Sequence, residues 1–204
     1  MIQVGLTGNV ASGKSTVARV WSSAGVPIVS ADDLARDAVA PGGPAQAEIR
    51  KIFGEEAFEK DGSMDRDRMR QLAFKDPEAR RQLEGAVHPH IRVLRERWLE
   101  SRRLEGAPLV ISEVPLLFEV GMEDLFDVVV VVDAPEQVRE DRLVLERGIS
   151  REEAKRILAA QGDPELKLAK ANHVIQNGGT LEDLEVSALR VLANLRVCTQ
   201  QDGD

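Results

Sequence analysis

The 204 residues predict an α/β fold of three layers, in which helices cover a central parallel sheet and a helical insertion and a lid are added to it. Three observations predict this. The apolar run Ile2-Gln3-Val4-Gly5-Leu6-Thr7 passes directly into a glycine loop and then a helical pattern, the order strand, loop, helix. The run Asp127-Val128-Val129-Val130-Val131-Val132-Asp133 shows no alternation, which marks a strand covered on both faces, as in the middle of a parallel sheet. The remaining helical patterns gather in two blocks, one after the second strand and one after the valine run.

The glycine loop is Gly8-Asn9-Val10-Ala11-Ser12-Gly13-Lys14-Ser15, which fits G-x-x-x-x-G-K-[ST]. Glycines let backbone N–H groups curl round a polyphosphate, and the helix that follows presents the positive end of its dipole to it. Lys14 would reach the outer phosphates and the Ser15 hydroxyl would ligate Mg²⁺, with Thr16 opening the helix. The sequence is thus of the P-loop NTPase class. A bare glycine turn is the alternative.

Composition narrows the class further. The net charge of −8 argues against a nucleic-acid partner held by phosphate contacts. A single cysteine, Cys198, excludes an intrachain disulfide and a cysteine metal cluster. The first residues already read as a core strand and no apolar run reaches membrane-spanning length, so neither a signal peptide nor a membrane partner is expected, and the cytoplasm is the expected compartment.

Taken in order, Lys14 to Ala24 reads as a helix with Val17, Val20 and Trp21 on one face. Val26 to Val29 is a second, parallel strand. Ligands of parallel α/β sheets gather beyond the carboxyl ends of the strands, which puts Asp32 and Asp33 at the loop's rim; Ser30 or Asp32 could equally cap the next helix. Pro41 to Pro44 breaks the chain. Helical patterns follow over 45–53, 67–74 and 77–104, with Pro89 expected to interrupt the last. From Arg66 to Arg103 there are eleven Lys or Arg against six Asp or Glu, either a solvated helix surface or a site for an anion. His88 beside Pro89 is either packed or a contact. Pro108 to Glu113 is a third strand; the Leu116-Leu117-Phe118 run beyond it either walls a pocket or packs inward.

Helices over 135–146 and from Arg151 to Gln161 carry Arg139, Arg142, Arg147 and Arg156, as a phosphate-clamping lid would; pairing with neighbouring glutamates is the plainer explanation. Ser150 and Glu153 read as a capping box. Gly162-Asp163-Pro164 closes the hairpin. A short strand, His173 to Asn177, precedes a closing helix with Leu184, Ala188, Val191 and Leu195 inward, and a polar tail follows Cys198. The domain reading is a nucleotide-binding core of residues 1–31, 107–138 and 172–204, an acceptor domain of 32–106 and a lid of 139–171.

Asn-Lys-x-Asp is missing, against a GTPase, and the valine strand ends in Asp133-Ala134-Pro135, a weak match to a water-activating ATPase. Small size, the insertion and the arginine-rich lid describe a small-molecule kinase. A kinase for another nucleoside or nucleotide, and a nucleotide-binding regulatory module, are the rivals.

Over nearly its whole length the sequence resembles the dephospho-coenzyme A kinase family. The matching stretches are Gly5-Leu6-Thr7-Gly8 into the loop, Ala31-Asp32 with Ala35-Arg36, and His88-Pro89. Val114-Pro115-Leu116-Leu117-Phe118-Glu119, Arg156 to Gln161 and Val174-Ile175-Gln176-Asn177-Gly178-Gly179 complete the set. The resemblance implies transfer of the γ-phosphate of ATP, with Mg²⁺, to the ribose 3′-hydroxyl of dephospho-CoA. It implies Asp32 as proton acceptor, with Lys14 and Arg142 also catalytic and Arg156 a lid contact to ATP. Asn177 would lie near the adenine. Thr7, Arg36, His88, Leu116, Leu117 and Phe118 would contact the acceptor. Three departures stand out: Ser30 where the family usually has an acid, Arg147 one place from the usual lid arginine, and Asn9 and Ala11 in place of common glycines.

Overall fold

The computed structural model describes residues 1–162 and 164–201, with side chains to Val197. Asp163 and the side chains of the expected tail lie outside the described residues. The chain divides into two compact units, Met1–Ile28 with Arg102–Asp204, and Val29–Ser101.

The first unit is built on a sheet in the order β2-β3-β1-β4-β5. The strands are β1 (Ile2–Gly8), β2 (Ile28–Ser30), β3 (Leu109–Glu113), β4 (Val128–Asp133) and β5 (His173–Gln176). Strand β1 lies between parallel neighbours, Leu6 in register with Glu113 on β3 and Gly8 with Val132 on β4. The valine run is closed off on both faces: Val130 and Val132 join one core while Val129 and Val131 are buried on the other side.

Helices α1 (Lys14–Ser23) and α9 (Leu181–Gln201) cover the first face. Val17, Trp21, Leu184, Ala188, Leu192 and Leu195 meet Val4, Leu6, Ile111, Val130 and Val132 there, and each fully buried leucine contributes about 1.5–3 kcal/mol. The Trp21 indole N–H donates to the Ala188 carbonyl at 2.8 Å, so the one polar atom on that ring is satisfied. Thr180 and Asp183 cap α9 reciprocally: Asp183 N donates to Thr180 Oγ1 and Thr180 N to Asp183 Oδ2. On the opposite face Gly5 leaves room for other side chains, since a Cβ there would fall 2.7 Å from Leu117 and 2.9 Å from Phe126.

Helices α6 (Glu136–Arg147) and α7 (Arg151–Ala159) form the hairpin expected from the sequence, started by Ser150, whose hydroxyl accepts from Glu153 N. Leu143, Ala154 and Leu158 pack against Val10 and Ala11 of the glycine loop. An unforeseen helix, α8 (Pro164–Lys170), lies between α7 and β5. No described helix is long and apolar enough to cross a membrane.

The second unit is helical: α2 (Ala31–Val39), α3 (Gln46–Phe53), α4 (Arg66–Lys75) and most of α5 (Pro77–Leu104). Its core is Ala38, Val39, Ala45, Ile49, Met69 and Ala86, with Leu83, Val87, Ile91 and Leu94 of α5 against it. Helix α5 runs through Pro89 unbroken, contrary to the sequence expectation. A proline inside a helix costs about 3 kcal/mol; Leu83 and Val87 before it and Ile91 and Leu94 after it all pack on the same core, and that burial offsets the cost.

Candidate active site

The loop between β1 and α1 is shaped by two positions where only glycine fits. At Gly8 a Cβ would lie 2.4 Å from the Val132 carbonyl oxygen. Gly13, with φ of +97°, would place a Cβ 2.2 Å from Asn177 Nδ2, and left-handed backbone favours glycine in any case. Between them the chain turns back on itself, Ser12 N donating to Asn9 O at 3.1 Å. Gly13 caps α1 without a side-chain acceptor, and the first turn of α1 carries no acid. The amide hydrogens of Gly13, Lys14 and Ser15 have no acceptor among the described residues. The buried Ser12 hydroxyl also lacks a partner. Unspent donors at a helix N-terminus, with no carboxylate competing for them, fit a phosphate chain.

Beside this cradle stand two side chains that meet a third. Lys14 Nζ is ion-paired with Glu113 Oε1, and Ser15 Oγ lies 3.4 Å from the same oxygen. Glu113 closes β3 and is in register with Leu6 of β1. The valine strand β4 ends in Asp133, but the acid at the loop is on β3, the other neighbour of β1. Hydroxyl and carboxylate oxygens together are the hard donors that a magnesium ion takes.

The outer side of the loop is held by residues far along the chain. Arg142 donates to Ala11 O at 3.1 Å and to Asn177 Oδ1 at 3.1 Å. Asn177, only 3% exposed, donates through Nδ2 to Ser12 O at 2.7 Å. Gln161 Oε1 accepts from Val10 N and from buried Arg139. Lys167 donates to Asn9 Oδ1 at 2.6 Å and is ion-paired with Glu119.

The second unit holds its own constellation. Ser30 caps α2, its hydroxyl accepting from Asp33 N at 3.4 Å. That leaves Asp32 out of the capping role: its carboxylate is exposed, with no hydrogen bond or ion pair among the described residues. Arg36 pairs with Asp33 one turn back. A groove of about 310 Å³ has Met64, Leu83, Val87 and Ile91 along it, with Arg36, Arg66 and His88 among its lining.

The model of the family described as dephospho-CoA kinase matches residues 2–183. The chain belongs to that family. A dephospho-CoA kinase of Anaeromyxobacter dehalogenans is 47% identical over 95% of this chain and 92% of its own length. Among solved structures, TT1252 from Thermus thermophilus superposes with a TM-score of 0.80 at 42% identity, covering 95% of this chain and 97% of that one. Dephospho-CoA kinase from Campylobacter jejuni gives 0.68 at 28% identity, covering 94% and 96%.

Several residues that the family resemblance placed at ligands have protein neighbours in this structure. Leu117 is fully buried against Gly5, whereas Leu116 is 52% exposed and Phe118 is intermediate. Thr7, 1% exposed, donates its hydroxyl to Pro115 O at 3.3 Å, joining β1 to the segment after β3. Asn177 spends its amide on the Ser12 carbonyl and Arg142. Arg142 serves the same loop. Arg147 and Arg156 are exposed, with no ion pair among the described residues. Glu113, Gln161 and Lys167 were missed as site residues. An acid at a strand's carboxyl end was a legible signal for Glu113; for the other two there was none, because their contacts lie about 150 residues away in the chain.

Proposed function

We propose that the chain transfers the γ-phosphoryl group of ATP to the ribose 3′-hydroxyl of dephospho-CoA, releasing CoA and ADP. The observation that carries this is the cradle of unspent amide hydrogens at Gly13 to Ser15 in a chain of the dephospho-CoA kinase family. The amides and Lys14 take the phosphate chain of ATP. Lys14 exchanges the Glu113 carboxylate for phosphate oxygens as the nucleotide enters. Ser15 Oγ and Glu113 would hold Mg²⁺, which neutralises charge on the β and γ oxygens. Arg147 and Arg156, cations without a carboxylate partner among the described residues, would be available to the same oxygens from the hairpin.

Asp32 accepts the proton of the 3′-hydroxyl as that oxygen bonds to the γ-phosphorus, and the bond to the β–γ bridging oxygen breaks to leave ADP. Its carboxylate is unspent because Ser30 does the capping. The groove of the second unit suits the acceptor's other features. Apolar Met64, Leu83, Val87 and Ile91 match a pantetheine arm, and Arg36, Arg66 and His88 match a diphosphate.

The test is ADP release with ATP and Mg²⁺, with and without dephospho-CoA. We expect release to depend on the acceptor and the product to carry phosphate on the 3′ oxygen, read by phosphorus NMR. Equal ADP release without acceptor, or faster turnover on another nucleoside, would overturn the assignment.

A further inference from the structure

Helix α8 inverts the usual logic of burial. Its buried residue is a lysine, Lys167 at 5% exposure, while its neighbour Leu166 is 65% exposed. Withdrawing an ammonium from water is costly unless it is paired and hydrogen-bonded, and a helix that needed only an anchor would have turned the leucine in. The ammonium is instead used twice: it donates to Asn9 Oδ1 at 2.6 Å and pairs with Glu119 Oε1 at 2.5 Å.

Asn9 is itself 6% exposed, and its backbone carbonyl accepts the Ser12 N–H that closes the loop's turn. Fixing the Asn9 side chain therefore fixes the carbonyl on which that turn depends. Glu119 ends the Val114 to Phe118 segment, so the ammonium ties that segment and the loop to one point.

We propose that Lys167 is a positioning residue for ATP: held by Glu119, it clamps Asn9 and so keeps the 8–15 loop in its binding shape before the nucleotide arrives. A loop already ordered saves the entropy of ordering it on binding. The saving is the same for ground and transition states, so its loss appears in KM and not in kcat. The inference rests on the loop being the ATP site.

The experiment is steady-state kinetics on the full chain, with the thermal midpoint of each variant measured alongside. Lys167→Met is expected to raise KM for ATP by about tenfold, with kcat within about threefold and the acceptor KM unchanged. Asn9→Ala should give the same rise. The double variant should be no worse than the worse single one, since both remove the same link. Lys167→Arg, which can donate to both partners, should recover part of the loss.

An unchanged ATP KM in folded Lys167→Met, or additive effects in the double variant, overturns the proposal. If Lys167→Met does not fold, Asn9→Ala decides alone, and an unchanged KM there overturns it equally. Lys14→Ala separates the two levels. Intact ATP binding in that variant sinks the reading of the loop itself, whereas binding lost there but normal in Lys167→Met sinks only the clamp.

Discussion

From Asn9 to Ser12 the phosphate loop has a dedicated partner at each residue: Lys167 on the Asn9 side chain, Gln161 on the Val10 amide, Arg142 on the Ala11 carbonyl and Asn177 on the Ser12 carbonyl. The opening turn of α2 is the reverse. Ser30 satisfies the helix end, Arg36 and Asp33 pair at the surface, and the Asp32 carboxylate is left with no partner among the described residues. The loop must hold a fixed concave row of donors, so its outward groups are tied down. A carboxylate with no bond among the described residues keeps its lone pairs available, as the proposed proton acceptor would need.

The sharpest way to break this contrast is Asp32→Asn. A general base is worth about 10²–10⁴ in rate, so kcat should fall by about 10³ while ATP binding holds; unaltered turnover would strip the free carboxylate of its meaning. Lys14→Ala comes next, with kcat/KM lowered by about 10²–10³, as when one preorganised charge donor is removed. Its damage should show in both ATP binding and turnover. Asn177→Ala sharpens the other side. It leaves the buried Ser12 carbonyl without its donor, which costs about 1–3 kcal/mol, read as a lower urea midpoint together with weaker ATP binding. A drop in midpoint with ATP affinity untouched would mean that the loop does not need its supports.

The smallest effect lies far from the site, at a carboxylate whose lone pairs are bonded. Hydrogen bonds from the Thr180 side chain and backbone hold Asp183 below its ordinary value of 3.8. A lowered folded-state pKa adds stability that is complete above the unfolded value and is lost as pH falls through the folded one. The stability of α9 should therefore be level from neutrality to about pH 4 and decline below it. Asp183→Asn should remove that part of the acid slope, followed by thermal midpoints against pH; an identical slope would show that the cap carries no charge dependence.

How much of this was legible depended on the range of the interaction. The strand, loop and helix over residues 2–23 are set by local pattern and glycine geometry, and the inward face of α9 by its apolar spacing. Both stand as expected. Helix α8 escaped because its seven residues bury a lysine and expose a leucine, a pattern that hydrophobic periodicity reads backwards. Pro89 misled because its local cost is offset by the burial of Leu83, Val87, Ile91 and Leu94 on either side of it. Leu117 is buried because Gly5 vacates the space above the sheet, a fact about β1 invisible in the Leu-Leu-Phe run. Arg142 and Asn177 were expected at the nucleotide, and the bonds they make in this structure go to loop backbone 131 and 165 positions away. No local pattern encodes such a pairing.

The bond from Asn177 to Ser12 also has a meaning in time. Translation makes the glycine loop first and its last support almost at the end, after β5 has been added to the far edge of the sheet. A nascent chain still lacking that edge holds the recognisable motif with a bare carbonyl where the asparagine will dock. The Ser12 carbonyl thus gains its side-chain donor only once β5 and the residue that follows it have joined the chain.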